Sequence, residues 1–405
     1  MQTVYERCCG IDVHKKLIVA CFRNGKKAEL RKFNTLTSSI KEMAAWLSEN
    51  HCQMVAMEST GAYWKPIYNI LELLGLDVIV VNAHHMKSVP GRKTDVKDAE
   101  WIADLLQHGL LKASYIPCRD QRELREIVRY RKNLTEERSR EINRLEKTLE
   151  GANIKLSSYV SSLTGSSSRN LLEKALVSKV DEDNIADLIH HSMLHKKSEL
   201  LEAMNGVFSS IQKLLIKAIL DHIDDMTRRI RDLDTIIDDH MKDYEQALYD
   251  IDQISGIGKR SAEVILSEIG IDMSRFPSDS HLASWAGLSP GNNESAGKRK
   301  SSRTNKGNRY LKSILIQCAK TAQKDKDSFF HAQYQRLVVR RGANRATVAV
   351  AHSMLIAIYH MLKDKVSFKD LGSDYYSKSN TQAKANYYLK KLQELGALLP
   401  VSTAT

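Results

Sequence analysis

The chain has 405 residues, 42% of them hydrophobic, which supports two or three domains with real cores and excludes wholesale disorder. Lys and Arg number 61 against 49 Asp and Glu, a net +12 that favours polyanionic partners through counterion release. The six cysteines show no CxxC spacing, no leader opens the chain, and the longest apolar runs are too short for a bilayer. These features point to the cytoplasm and away from a disulfide scaffold or membrane protein.

In chain order, 7–14 and 17–23 read as strands, with Asn24-Gly25 as a hairpin turn and 28–34 returning as a third strand. A helix follows with Ser38 or Ser39 as its N-cap and Ile40, Met43, Ala44 and Leu47 on its apolar face. Strand 54–58, helix 64–74, strand 77–82 and helix 95–107 complete an α/β segment in ribonuclease-H-like order. Alternation puts Cys8 and Cys9 on opposite sides of the first strand, which favours packing over redox chemistry.

Within this segment stand four carboxylates. Alternation puts Gly10, Asp12 and His14 on one face of the first strand, and Glu58 ends the next long apolar strand. Asp95 and Asp98 are three apart and share a helix face, where like charges repel unless a cation bridges them. Together they suggest a cradle for a hard divalent cation, Mg²⁺ or Mn²⁺, which prefers oxygen ligands. Taken singly, each has an ordinary explanation. Asp12 pairs with Lys15 or Lys16, Glu58 caps a helix, and Asp95 and Asp98 decorate a helix start.

From about 120 the texture changes. Leu124, Val128, Ile142, Leu145 and Leu149 fall at heptad spacing, and Ile223, Met226, Ile230, Leu233, Ile237 and Tyr244 form a second stripe. Two long charged helices so patterned read as a coiled coil or dimer arm, or equally as amphipathic helices packed on their own domain. The Ser-rich stretch 157–168 between them reads as a loop, and 169–204 as helical.

Residues 254–262, ISGIGKRSA, read as a helix-hairpin-helix turn in which Gly256, Gly258 and Lys259 meet a phosphate, or as a bare helix C-cap. Further on, AGLSPGNNESAGKRKSSRTNKGNRYLK places Ser295 in a Gly-rich loop before Lys298, Arg299, Lys300, Arg303, Lys306, Arg309 and Lys312, with no acid among them. Such a serine is a turn residue or a nucleophile; Ser289, Ser301 and Ser302 compete for the second role. A short helix near 381–396 lies in the tail.

The ordered set GIDVHK, MESTGAYW, KTDVKDAE, SGIGKRSA and AGLSPGNNESAGKRK…NKGNRYLK resembles the DEDD transposases of circularising insertion sequences, relatives of pilin-gene invertases and bridge-RNA-guided recombinases. The resemblance covers roughly 1–150 and 245–362. It implies α/β plus all-α architecture: a RuvC-like domain over 1–118, and coiled-coil helices over 119–248 with an inserted helical segment at about 151–205. A helical serine transposase domain over 249–365 and a tail over 366–405 complete it. By motif, Asp12, Glu58, Asp95 and Asp98 take the places of the metal-binding tetrad and Ser295 that of the nucleophile. Ala296 stands where many members have glycine. The resemblance further implies a covalent phosphoserine intermediate, donor and target DNA, a structured guide RNA, and a homodimer that forms a tetramer on DNA at the nucleoid. The rivals are a metal-dependent junction nuclease using water, and a non-catalytic nucleic-acid-binding protein.

Overall fold

In the computed structural model, residues 3–59, 61–82, 98–291, 293–295, 298–301 and 303–395 are described, in two units, Met1–Pro117 and Cys118–Thr405. The first unit is built on β1 (Arg7–Val13), β2 (Leu17–Asn24), β3 (Lys27–Asn34), β4 (Met54–Glu58) and β5 (Val78–Val81). These form one sheet in the order β3-β2-β1-β4-β5, antiparallel from β1 to β3 and parallel from β1 through β4 to β5. This mixed order is the ribonuclease-H-like arrangement expected from the element sequence. The β2–β3 turn contains Gly25 at φ 58, a left-handed conformation that glycine adopts without Cβ strain.

Alternation decides what each face of the sheet buries. Cys9, Ile11 and Val13 pack with residues of α1 (Thr37–Glu49) and α2 (Trp64–Leu73), whereas Cys8 joins Ala56, Val81, Ile102 and Leu106 under α3 (Asp98–Gln107). Cys8 and Cys9 therefore do face opposite layers. Helix α1 starts earlier than its serines suggest, with Leu36 as N-cap and no side-chain cap. Asn34 Oδ1 accepts from the Leu36 N–H at 2.8 Å, and Ser39 Oγ accepts from the Asn34 N–H at 3.2 Å. These bonds close the turn from β3 and draw Ser39 away from the capping role.

In the second unit, α4 (Arg119–Gly151) is the first of two long helices. Between them lie α5 (Ser166–Val177), α6 (Ile185–Leu188) and α7 (Lys197–Ala203), and then comes the second, α8 (Ser210–His240). Helices α4 and α8 run antiparallel: Arg131 meets Asp234, Arg138 meets Thr227, and His222 approaches Glu141. Leu124, Val128, Leu145 and Leu149 of α4 are buried, as are Ile223, Met226, Ile230 and Ile237 of α8, on the faces their spacing marked. The Ser-rich stretch is not all loop. Ser166 opens α5, and Ser167 and Ser168 are buried, with Ser168 Oγ donating to the Ser162 carbonyl at 2.7 Å.

The chain continues through α9 (Glu245–Asp252), α10 (Lys259–Ile269) and α11 (Asp279–Trp285) to a two-stranded hairpin, β6 (Asn293–Ser295) and β7 (Lys298–Ser301). It ends with α12 (Arg309–Ala322), α13 (Phe329–Arg341), α14 (Ala343–Asp364) and α15 (Tyr375–Glu394). Helix α14 corrects the reading of apolar runs as too short for a bilayer, since by length and composition it is sufficient to cross one. Polar residues such as Asn344, Arg345 and His352 interrupt its sequence and hide the helix from a search for unbroken runs. Ala346, Val350, Ala351, Met354, Leu355 and Ile358 are buried in the core of the unit, the pattern of a central packing helix.

Candidate active site

The acids of the first unit gather at one end of its sheet. The β1–β4 ladder pairs Gly10 with Ala56 and Ile11 with Met57, so Asp12 and Glu58 follow at neighbouring strand ends. Paired positions in parallel strands share a face, and here it is the face covered by α3. The helix runs back along β1. A Cβ on Gly10 would meet Ala103 N at 2.3 Å and Ala99 O at 2.4 Å, while Gln107 at the far end accepts from the Val4 N–H. The N-terminus of α3, with Asp98, therefore points toward the end that carries Asp12 and Glu58.

Asp12 is engaged by a neighbour that alternation places on its own face. His14 Nε2 lies 3.0 Å from Asp12 Oδ2, so the partner of Asp12 is this imidazole and not Lys15 or Lys16. Asp95 lies outside the described residues. Among the described residues no group of three or more His, Cys, Asp or Glu side chains is arranged to hold a metal ion. The donor set fits a hard divalent cation in kind: carboxylates from two adjoining strands and from a helix start.

In the second unit, Ser295 lies at the tip of the β6–β7 hairpin, where it pairs with Lys298; Glu294 pairs with Arg299 and Asn293 with Ser301. The expected Gly-rich loop is thus a short hairpin. Its strands hold Asn, Glu, Ser, Lys and Arg, so no apolar alternation announced them. The side chains of Ser295, Lys298, Arg299, Lys300 and Ser301 lie outside the described set, as do Gly297 and Ser302.

The base of the hairpin is tightly framed. A Pro290–Thr304 bridge is reinforced by the Gly291 N–H donating to the Arg303 carbonyl at 2.9 Å. Below it the backbone of Gly307 crosses Gly287 so closely that a Cβ on Gly307 would lie 2.3 Å from Gly287 N. Asn308 caps α12, its side chain accepting from the Tyr310 and Leu311 N–H groups, and its own N–H donates to the Trp285 carbonyl at 3.0 Å. Lys312 Nζ donates to Thr304 Oγ1 at 2.5 Å, and burial pushes its ammonium pKa down. Lys306 is exposed, and Arg309 stacks over Tyr310 at 4.8 Å.

The segment around Gly256 and Gly258 is the turn that joins α9 to α10. Gly256 has φ 86 and packs against Cys318 O, where a Cβ would lie 2.5 Å away, so this glycine is required by packing. Gly258 is the N-cap of α10 in extended conformation with open space around it. Lys259 donates to Asp238 at 2.7 Å, a bond that raises its pKa, and Arg260 is held by Asp234. The cations at this turn already face carboxylates of α8.

A basic groove escaped the sequence reading. It has a volume of about 840 Å³ and lies between the hairpin base and helices α13 and α14. Arg303 lines it as the basic run suggested, but Arg341 and Arg345 join from almost forty residues onward. No local motif marks residues so far apart in the chain.

Two family models match the chain. A transposase model of the DEDD type, DEDD_Tnp_IS110, covers residues 9–154, and one for the Transposase IS116/IS110/IS902 family covers 249–335. All four acids fall inside the first span and Ser295 inside the second; together the spans make up more than half of the chain. The chain is 28% identical over 137 residues to a protein of Sinorhizobium fredii (strain NBRC 101917 / NGR234) named "Putative transposase y4qE". That match takes in 32% of this chain and only 35% of the relative. With two separate segments matched in order by models of one transposase family, the chain belongs to the IS110 family of DEDD transposases.

Proposed function

We propose that this chain is a DNA transposase and site-specific recombinase that cuts and rejoins DNA through a covalent phosphoserine. Ser295 is its nucleophile, and Asp12, Glu58, Asp95 and Asp98 hold Mg²⁺ or Mn²⁺. The observation that carries the reading is the arrival of Asp12, Glu58 and the start of α3 at one end of one sheet face, within a family span whose companion contains Ser295. The bound ion supplies Lewis-acid stabilisation of charge on the phosphoryl oxygens.

The remaining chemistry belongs to the chain. Ser295 Oγ bonds to phosphorus as the bond from phosphorus to the leaving sugar oxygen breaks, and the serine proton ends on that oxygen. The hydroxyl of the exchanged strand then attacks the phosphoserine, rejoins DNA and returns the proton to Ser295. The hairpin's Lys298, Arg299 and Lys300, with Arg303, Lys306 and Arg309 behind them, offset the charge of the phosphates. Gly256, Gly258 and Lys259 add contacts to the DNA backbone without reading bases. A structured guide RNA selects donor and target DNA by pairing, and dimers joined through α4 and α8 assemble as a tetramer on DNA. This places the protein in the cytoplasm, at the nucleoid.

The test is a denaturing gel of labelled DNA incubated with the protein and Mg²⁺, alongside sequencing of any co-purified RNA. A protease-sensitive DNA adduct that disappears in Ser295→Ala, and is lost in Asp12→Ala and Glu58→Ala, supports the reading. Free cutting by Ser295→Ala overturns it in favour of a metal-dependent nuclease. Binding without cleavage under every condition leaves a non-catalytic nucleic-acid-binding protein.

A further inference from the structure

The groove beside the serine hairpin has two parts of different chemistry. Its walls include the aliphatic residues Leu288, Pro290, Leu337, Val348 and Ala349. At its rim, Arg341 closes α13 and Arg345 lies in the first turn of α14, with Gly342 between the helices at φ 76. Neither arginine is paired with a carboxylate among the described residues. No acidic side chain occupies the first turn of α14, and no side chain caps it. A cation beside the positive end of a helix is the unfavourable arrangement, so this rim calls for an anion.

The interior carries a second, independent signal. Gln333 Nε2 donates to Ser353 Oγ at 2.8 Å, which leaves Gln333 Oε1 buried with no hydrogen-bond partner. A buried acceptor left unmet is costly and marks a place where a ligand donor is missing. Next to Ser353, His352 also lines the groove, and burial lowers its pKa.

We propose that this groove takes one unpaired nucleotide of a nucleic-acid strand. Its phosphate lies on Arg341 and Arg345, its base lies between the aliphatic walls, and its exocyclic amino group donates to Gln333 Oε1. The inference deepens the transposase reading and rests on its premise that the chain handles nucleic acid. The volume is within the range of small-ligand sites, about 300–1,000 Å³, and accommodates a nucleotide. An exocyclic amino group is present on adenine, cytosine and guanine and absent from thymine and uracil, so the site discriminates between them. A base enters such a pocket only when unpaired, because in a duplex it is stacked and its amino group is engaged.

The experiment measures binding of the full-length protein to fluorescein-labelled single-stranded oligonucleotides by anisotropy without divalent metal, at several salt concentrations. The probes are an oligothymidylate, the same strand with one central cytidine, and the two corresponding ribonucleotide strands. The wild type is expected to bind the cytidine-bearing strand severalfold more tightly. Gln333→Leu should remove that preference while leaving affinity for the all-thymine strand. R341A/R345A should weaken every strand at least tenfold and reduce the salt slope by about 1.4, the value for two lost phosphate contacts on a single strand. Tighter binding of the ribose series assigns the strand to RNA, and of the deoxyribose series to DNA. An unchanged preference in Gln333→Leu, or unchanged affinity and slope in R341A/R345A, overturns the pocket. Because no cleavage is read, that result leaves the Ser295 adduct test standing, and loss of the adduct leaves this binding test standing.

Discussion

Arg129 clasps Glu268 through two parallel bonds, Nε to Oε1 at 2.6 Å and Nη2 to Oε2 at 2.8 Å. Glu268 is fully buried, and it also accepts from Asn308 Nδ2 at 2.6 Å while Arg125 Nε lies 3.2 Å from its Oε2. One carboxylate thus ties α4 to the residue that caps α12 just behind the serine hairpin. Removing it strands two arginines, and breaking such a pair costs about 3–5 kcal/mol. Glu268→Ala should lower the urea midpoint accordingly, and Glu268→Gln should recover part of the loss by keeping the Asn308 contact. A midpoint unmoved in both variants would show that this network does not hold the second unit together.

Gly10 sets how closely α3 approaches β1. A methyl group there collides with helix backbone, and overpacking of this kind costs about 1–3 kcal/mol. Gly10→Ala should lower stability and lift the start of α3, with Asp98, away from Asp12 and Glu58. DNA cleavage should therefore fall more than DNA affinity, a split read by parallel gel and anisotropy measurements.

The six thiols should divide sharply in reactivity. Cys8, Cys9, Cys21 and Cys318 are buried, Cys52 is half-buried and Cys118 is exposed. Burial pushes Cys8 up to about 12 and Cys21 and Cys52 to about 11. Titration with a disulfide reagent at pH 8 should modify Cys118 first, and the buried thiols only on unfolding. A raised folded pKa contributes stability that is whole below the unfolded value of 9.0 and is lost as pH climbs through 11–12. Denaturant midpoints of the first unit should fall over that window, and replacing Cys8 and Cys21 by Ala should flatten the fall.

At the turn between α9 and α10, carboxylates of α8 compete with any phosphate for Lys259 and Arg260. Asp238→Asn should free the Lys259 ammonium and lower its raised pKa. Affinity for duplex DNA should then rise severalfold at low salt, with a steeper salt dependence. Identical salt plots for the variant and the wild type would remove Lys259 from the DNA-binding surface.

The sheet, with Asp12 and Glu58 at neighbouring strand ends, was legible because strand alternation is strict. The same rule that buried Cys9, Ile11 and Val13 together put Asp12 and His14 on the opposite face, where they now meet. The long helices were equally visible by period, but one charged residue of their seam was not. Arg131 is only 4% exposed and bonds Asp234 and Glu263, an arrangement that a search for apolar repeats passes over. The hairpin carrying Ser295 was hidden by its polar strands. The Arg341–Arg345 rim was hidden by sequence distance, and the orphaned oxygen of Gln333 is a property of packing alone.

The antiparallel pair formed by α4 and α8 has 33 residues in one arm and 31 in the other, a rod about 50 Å long at 1.5 Å per residue. Each residue of one arm has a fixed opposite number in the other, so the rod works as a ruler with heptad graduations. Excising seven residues from both arms at matching heights should shorten it by about 10 Å and return the surviving side chains to their old neighbours. Excision from a single arm should throw the two stripes out of phase.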